Sequence, residues 1–217
     1  MSYVMSLVDF ILHIDAHMVN IVNNFGIWTY LILFLIIFIE TGVVILPFLP
    51  GDSLIFAAMA LAANPDYILS PWLLFLVFFV AAVLGDSMNY EIGEHFGEFA
   101  TRNKYLSKLI NKEHLDEAHA FFNRHGGKTI AIGRFIPLIR TFVPFVAGSG
   151  TMPYGRFIKF NMLGGFLWVL LCSSAGFLFG NIPAVQEHFS IIIIGIVVVS
   201  LIPILVTALR NRKKAAE

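Results

Sequence analysis

Basic residues are missing from almost the whole first half of the chain. No Lys or Arg precedes Arg102, and only 13% of all residues are charged, whereas 58% are hydrophobic and the mean hydropathy is +0.83. Soluble domains carry about 25% charged residues, so this composition excludes a soluble globular protein. The lack of early basic residues also argues against a cleavable signal peptide, which begins with positive charge. We therefore expect an integral membrane protein that keeps its N-terminal segment.

Cysteine is nearly absent as well, because Cys172 is the only one. A single cysteine cannot form an intramolecular disulfide. Together with scattered histidines and no H-E-x-x-H motif, it provides no set of zinc ligands. The segment HGGKT contains G-K-T, but a P-loop also needs Gly at position 122, where the chain has Phe122. We expect no metal, no nucleotide and no other cofactor.

The basic residues that do occur determine the expected topology. They cluster at 102–128, at Arg156 and Lys159, and in the tail RNRKKAAE. The positive-inside rule places all three groups in the cytoplasm, and it explains the basic tail without nucleic-acid binding. We therefore expect a multi-pass protein of the inner (cytoplasmic) membrane with a cytoplasmic C-terminus.

This topology divides one membrane domain, residues 1–217, into seven segments joined by loops. Polar residues interrupt the apolar pattern at the N-terminus, which predicts an amphipathic interfacial helix. A mixed-charge stretch that ends in Gly predicts a cytoplasmic amphipathic connector closed by a glycine C-cap. The predicted segments are the interfacial helix 1–24, a first re-entrant hairpin 27–63, a span 71–92, the connector 94–127, a second re-entrant hairpin 129–150, and two spans at 158–180 and 190–209.

The two hairpin segments are apolar but interrupted by Pro and Gly. They contain LPFLPGDS and FIPLIRTFVPFVAGSG. Proline removes a backbone donor and clashes with the preceding helical turn, and the freed carbonyls are tolerated at membrane depth only within protein or beside a wet cavity. The segments enter from opposite sides, and PFLPGDS aligns with PFVAGSG without a gap. We predict an all-α fold with an inverted repeat, two re-entrant helical hairpins that face each other, and about three full transmembrane helices.

Four charged residues lie within these hairpins. Glu40 and Asp52 belong to the first, and Arg134 and Arg140 to the second. Each charge costs about 2.5–3.5 kcal/mol at the centre of a membrane helix, so we expect the acids and bases to face one another or water. Two interpretations stay open: salt bridges that hold the hairpins together, or a site that is closed when empty and opens around an anion.

Other polar and small residues are predicted to support this site. Asp86, Asn89 and Gly93 share one helical face with Tyr90 alongside, where they either line a groove or brace the hairpins by hydrogen bonds. Gly176 and Gly180, spaced as G-x-x-x-G, predict close helix packing. The remaining supporting positions are Pro47, Pro50, Gly51, Pro137, Thr141, Pro144 and Gly148.

Taken together, these motifs resemble the DedA family of membrane proteins. ETGVVILPFLPGD, GDSMNYEIG and RFIPLIRTFVPFVAG match the family's membrane Glu, its P-x-x-P-G-D turn, its G-D-x-x-x-Y-x-x-G helix and its Arg/Pro hairpin. The resemblance implies two re-entrant hairpins and a role in moving lipids across the bilayer, including polyprenyl phosphate recycling and phospholipid scrambling. It also implies that Glu40, Asp52, Arg134 and Arg140 are functionally important.

An anionic lipid headgroup suits the charged residues of the hairpins. Arg134 and Arg140 can offer forked donors to phosphate oxygens, and ionised Glu40 and Asp52 would compete with that phosphate. Burial favours a protonated carboxyl and a nearby arginine favours an ionised one, and the sequence leaves both open. We expect a flippase for a lipid with a phosphate headgroup, with undecaprenyl phosphate as the leading substrate and proton coupling as a hypothesis.

Other functions remain compatible with the sequence. The transporter could instead be a flippase or scramblase for phosphatidylethanolamine or general phospholipid. From other classes, a membrane enzyme acting on lipid phosphates lacks a recognisable catalytic motif, and a scaffold would use the four charges only as structural pairs. A homo-oligomer is compatible with the sequence, which names no other protein partner.

The predicted topology can be tested by cysteine labelling. Cysteines introduced at Ser2 and Asn181 should react with an impermeant reagent in intact cells, and one at Lys112 only after permeabilisation. External labelling at Lys112 would overturn the orientation and the inverted-repeat argument with it.

Overall fold

The computed structural model describes residues 22, 24–42, 51–64, 67, 69–102, 122, 124–150, 152–180, 182 and 195. The regular structure in this part of the chain is entirely α-helical, as the sequence predicts. Its helices are α1 (Trp28–Gly42), α2 (Gly51–Ala63), α3 (Pro71–Arg102), α4 (Lys128–Gly133), α5 (Pro137–Arg140), α6 (Val143–Ser149) and α7 (Tyr154–Gly180). Nearly all of the predicted interfacial helix and of the last predicted span, most of the connector, Pro47 and Pro50 lie outside the described residues.

Two of these helices are long and apolar enough to cross a membrane. The apolar part of α3, Pro71–His95, has 25 residues, α7 has 27, and both have a mean hydropathy of 1.9. Helix α3 does not end at residue 92, the predicted end of the span, but continues to Arg102 into the predicted connector. Helices α1 and α2 are apolar but have only 15 and 13 residues, fewer than the roughly 20 that span a bilayer.

The chain divides into two compact units, the first comprising Met1–Ile32, Pro50–Phe75 and Leu171–Glu217 and the second Leu33–Leu49 and Leu76–Leu170. In the first unit, α2 is buried along nearly its whole length and packs against the end of α7. A Cβ added at Gly180 would lie 2.5 Å from Ala60 Cα, and one added at Gly176 would lie 3.0 Å from Met59 Cβ. The predicted close packing at G-x-x-x-G is thus confirmed.

The second unit contains the broken segment that forms α4, α5 and α6. Pro137 and Pro144 lie in the first turns of α5 and α6, where a missing N–H costs no helical hydrogen bond. Ile136, just before Pro137, is extended with φ −111° and ψ 105°, as expected for a residue that precedes proline. The structure therefore confirms that proline interrupts this segment.

Helix α6 packs directly on α3 through two glycines. A Cβ at Gly148 would collide with the carbonyl oxygen of Tyr90, and a Cβ at Gly93 would collide with that of Phe145. Around this contact lies the apolar core of the second unit. Its buried members include Tyr90, Ile130, Val143, Ala147, Met152 and Phe157.

An internal repeat, displaced by 100 residues, relates the start of the α1 segment to the start of the α4 segment. Gly26 and Gly126 both adopt positive φ, 51° and 60°, and their N–H groups donate to the carbonyls of Val22 (3.1 Å) and Phe122 (2.7 Å). Each glycine therefore closes the preceding helix with the same αL cap, which confirms the predicted C-cap of the connector. Identical residues occupy the pairs 23/123, 26/126, 29/129, 32/132, 36/136, 39/139, 41/141 and 43/143.

The α3–α6 contact predicts the effect of a single methyl group. Gly148→Ala forces a Cβ into the Tyr90 carbonyl, and such overpacking destabilises by about 1–3 kcal/mol. We expect a lower melting temperature in detergent and a lower yield. Gly155 is the matched control, since nothing lies within 4 Å of its added Cβ, and Gly155→Ala should leave stability unchanged or slightly raised. Equal melting temperatures for both variants would contradict the close approach.

Candidate functional site

The second unit encloses a small cavity lined with charge. Its volume is about 20 Å³, enough for roughly one water molecule. Two acidic and two basic side chains contribute to its wall, so their formal charges cancel. The lining residues are Glu40, Thr41, Asp86, Arg134, Arg140, Thr141 and Trp168.

The first ion pair of the cavity joins Arg140 to Glu40. Arg140 Nη2 donates to Glu40 Oε1 at 2.7 Å, and the side chains are 17% and 2% exposed. Glu40 lies in the last turn of α1, where the helix dipole disfavours an anion, whereas Arg140 ends α5, where a cation is favoured. Pairing with Arg140 therefore offsets the unfavourable position of Glu40.

The second ion pair joins Arg134 to Asp86. Arg134 follows the last residue of α4, and its Nη2 donates to Asp86 Oδ2, to Asn161 Oδ1 at 2.7 Å and to the Ala82 carbonyl at 3.2 Å. The arginine and the aspartate side chains are each only 6% exposed. This guanidinium is thus held by a carboxylate, an amide and a backbone carbonyl in a buried environment.

One face of α7 receives the side chain of Arg134. A Cβ at Gly164 would lie 3.3 Å from Arg134 Cδ, and one at Gly165 would lie 3.6 Å from Arg134 Cζ, so the arginine rests against the bare helix. Asn161, one turn earlier, also donates from Nδ2 to the Val83 carbonyl at 3.0 Å, which fixes its oxygen toward the arginine. One turn later on the same face, Trp168 is 5% exposed.

Trp168 contacts both arginines of the cavity. The Cζ atoms of Arg134 and Arg140 lie 5.8 Å and 5.6 Å from the centroid of its ring. Asn161, Gly164, Gly165 and Trp168 were not predicted from the sequence as site residues. The sequence does contain a signal for them: the other three follow the polar residue Asn161 at intervals of three or four residues, which places all of them on one face of the helix.

Asn89 and Tyr90 brace the backbone around the cavity. Asn89 Nδ2 donates to the carbonyl of Thr141 at 2.8 Å and, more weakly, to that of Thr41 at 3.4 Å. Tyr90 donates from its hydroxyl to the Met152 carbonyl. Of the two roles left open for the polar face of α3, these residues have the bracing role, whereas Asp86 lines the cavity.

The structure brings together three of the four predicted charged residues. Glu40, Arg134 and Arg140 line the cavity, but Asp52 lies in the first turn of α2, directly after Gly51, in the other unit. The acid that pairs with Arg134 is Asp86. Glu40 and Asp86 are the two acids beside the two arginines; Asp86 was predicted as a supporting residue, and the role of Asp52 stays a prediction.

Arg134 Nε, a donor, and Asn89 Oδ1, an acceptor, are buried near the ion pairs and have no hydrogen-bond partner within the described residues. Buried polar groups are nearly always paired with protein or water, so the Nε of a cavity-lining residue is available to an oxygen atom of water or of a ligand. The described residues contain no cluster of three His, Cys, Asp or Glu side chains suited to a metal ion.

Comparisons with known proteins show the family to which the chain belongs. The VTT domain family matches residues 49–178. The chain is 47% identical over 216 residues to protein DedA of Escherichia coli K12. This alignment covers 100% of this chain and 98% of the E. coli protein. It is 42% identical over 176 residues to an uncharacterized membrane protein of Mycobacterium tuberculosis H37Rv, 81% of this chain and 77% of the relative.

A third relative is the inner membrane protein YghB of E. coli K12, 36% identical over 180 residues, 83% of this chain and 78% of the relative. No solved structure gives a significant match. With its apolar spans, its matching VTT domain and its full-length similarity to protein DedA, the chain belongs to the DedA family of membrane proteins.

Proposed function

We propose that the protein is a flippase that moves a lipid with an anionic phosphate headgroup across the inner membrane. The supporting observation is that buried Arg134 and half-buried Arg140 share one cavity, each neutralised by a carboxylate. Ionisable groups within membrane segments usually mark substrate or ion pathways. A headgroup can pass through such a polar site while its hydrocarbon tail stays in the bilayer.

The arginines supply the chemistry of phosphate binding. A guanidinium presents a planar fork of donors that matches two phosphate oxygens. Arg134 additionally holds a buried Nε donor without a partner in the described part of the chain. A phosphate between the two arginines would accept hydrogen bonds that Glu40 and Asp86 accept in the present state. The carboxylates are therefore internal competitors of the substrate.

The small cavity volume defines the state that the structure represents. A space of about 20 Å³ accommodates a water molecule but no phosphate group. Headgroup binding therefore requires at least one carboxylate to leave its arginine. Protonation of Glu40 would remove its charge and weaken its bond to Arg140, so we propose proton coupling at this pair. We propose a gating role for Asp52 in the first unit.

The helix lengths and the internal repeat support the proposed re-entrant architecture. Helices α1 and α2, of 15 and 13 residues, flank the first Pro/Gly segment and are each shorter than a span. Helices α4, α5 and α6 share the second broken segment. Paired, interrupted segments in two halves of a chain are typical of transporter binding sites near the bilayer midplane. We propose two such hairpins, with the C-terminus in the cytoplasm.

Undecaprenyl phosphate is the substrate that we propose first, because its headgroup is an exposed phosphate that two arginines can reach. Phosphatidylethanolamine or general phospholipid, moved by flipping or scrambling, is the alternative within the same class. A transport assay in liposomes of defined lipid composition distinguishes the functions. A flippase changes the leaflet of a labelled lipid, an enzyme changes its covalent structure, and a scaffold does neither. Unchanged leaflet distribution for every lipid tested would refute the proposal.

If Arg140 binds phosphate, its replacement by lysine should reduce lipid transport. Arg140→Lys keeps the charge but loses the fork, and one charge-assisted hydrogen bond is worth about 1.5–3 kcal/mol, so transport should fall about 10- to 100-fold at normal expression. Arg156→Lys is the matched control, because Arg156 is exposed and does not line the cavity. Normal transport by a folded Arg134→Ala/Arg140→Ala variant would exclude the arginine site.

The proposed coupling predicts separate effects on binding and on turnover for Glu40→Gln. The amide imitates a protonated carboxyl, so binding of a short-chain polyprenyl phosphate should persist while release and the pH dependence of turnover are lost. These are measured between about pH 5.5 and pH 8. Asp52→Asn, in the other unit, is measured in parallel and should also lose turnover if it gates. If Glu40 is only structural, its replacement breaks a buried pair, at a cost of about 3–5 kcal/mol, and the variant melts early with unchanged pH dependence.

A further inference from the structure

Trp168 places two cations beside one aromatic ring. The guanidinium carbons of Arg134 and Arg140 lie 5.8 Å and 5.6 Å from its centroid, within the distance of about 6 Å at which an indole attracts a cation. The ring is 5% exposed and lines the cavity. The two positive charges beside this ring repel each other, and the repulsion is stronger in a protein interior than in water because the dielectric constant is lower.

The carboxylates compensate this repulsion only while they are bound. In the present state Glu40 pairs with Arg140 and Asp86 pairs with Arg134. A bound phosphate would replace the two carboxylates and pair with both arginines. Between these two states a guanidinium has released one anion and has not yet gained the next. At that moment the indole ring, which lies within 6 Å of both guanidinium carbons, offers its negative face to the guanidinium that has lost its anion.

We propose that Trp168 is the positioning residue on which the two arginines exchange their carboxylates for a lipid phosphate. This inference rests on the proposed function and deepens it. The ring attracts a bare guanidinium more strongly than one already paired with an anion. It therefore stabilises the exchange step more than either end state, and its contribution is to the rate.

The surroundings of the ring suit this role. Arg134 is fixed along α7 by Asn161 at one end and by the flat surface of Gly164 and Gly165 in the middle. Its guanidinium therefore stays within reach of Trp168 even if Asp86 moves. Tryptophan is also the side chain with the strongest attraction for cations among the aromatic residues, and Phe or Leu at this position would be adequate for packing alone.

Fluorinated tryptophans test the electrostatic role of the ring without changing its shape much. The chain has three tryptophans, and Trp28 and Trp72 are 63% and 85% exposed, so Trp28→Phe and Trp72→Phe leave Trp168 as the only site of incorporation. Mono-, di- and trifluorinated tryptophan weaken the negative face of the ring stepwise. Turnover in liposomes should fall stepwise, by about tenfold in total. Unchanged turnover with the trifluorinated ring overturns the proposal.

A second measurement does not depend on lipid transport. In detergent, fluorination should hardly change the melting temperature while Glu40 is present, because Arg140 is then neutralised. In the Glu40→Gln background Arg140 lacks that charge, and each fluorine should lower the melting temperature further. This dependence on Glu40 is a signature that a packing role of the ring would not produce. Equal effects of fluorination in both backgrounds overturn the proposal.

The two readouts separate failure of this inference from failure of the proposed function. If the protein moves no lipid but fluorination selectively destabilises Glu40→Gln, the proposed function fails and the role of Trp168 stands. If lipid moves at the same rate with every ring, the role of Trp168 fails and the proposed function stands. If Glu40→Gln does not fold, the turnover series alone decides.

Discussion

The second unit depends on the neutralisation of two guanidinium groups that are largely withdrawn from water, with Arg134 6% and Arg140 17% exposed. Removing an ion from water into a protein interior costs several kcal/mol even after relaxation, and Arg134 and Arg140 cannot escape this cost by losing a proton. The ends of short helices, the carboxylates of α1 and α3 and the indole of α7 all converge on these charges. The chain breaks before Pro137 and Pro144 end α4 and α5 beside the two arginines, so that Arg134 and Arg140 both lie at helix ends.

The two ion pairs are not equivalent, although each joins one arginine to one carboxylate. Arg134 is embedded among Asp86, Asn161 and the Ala82 carbonyl on the bare face of α7. Arg140 is nearly three times as exposed, at 17% against 6%, and pairs with a carboxylate on the last turn of α1. A site built in this way has one fixed cation and one nearer to solvent. Because Arg140 is the more exposed of the two, it is the arginine that would exchange its carboxylate for another anion first.

The sequence predicted the membrane setting, the helical class and three of the four charges, because composition, proline and buried charge act locally and leave a clear signal. It did not place Asp86 beside Arg134, since that pairing depends on α3 packing against the end of α4, where Arg134 also donates to the Ala82 carbonyl. The gap-free match of residue 47 with residue 144 has a displacement of 97 residues, a different register from the repeat displaced by 100 residues. The stronger match, displaced by 100 residues, was missed because apolar residues obscure its few identities, and the shared glycine caps reveal it only in three dimensions.

The repeat also has a consequence for how this chain could have arisen. Displaced by 100 residues, Glu40 corresponds to Arg140 and Thr41 to Thr141, so the ion pair joins equivalent positions of the two halves. A complex of two identical half-length chains would bring Glu to Glu or Arg to Arg at this point, and like charges repel. Opposite charges at equivalent positions require two copies that differ in sequence. A single chain that carries both copies allows the two equivalent positions to differ, as Glu40 and Arg140 do.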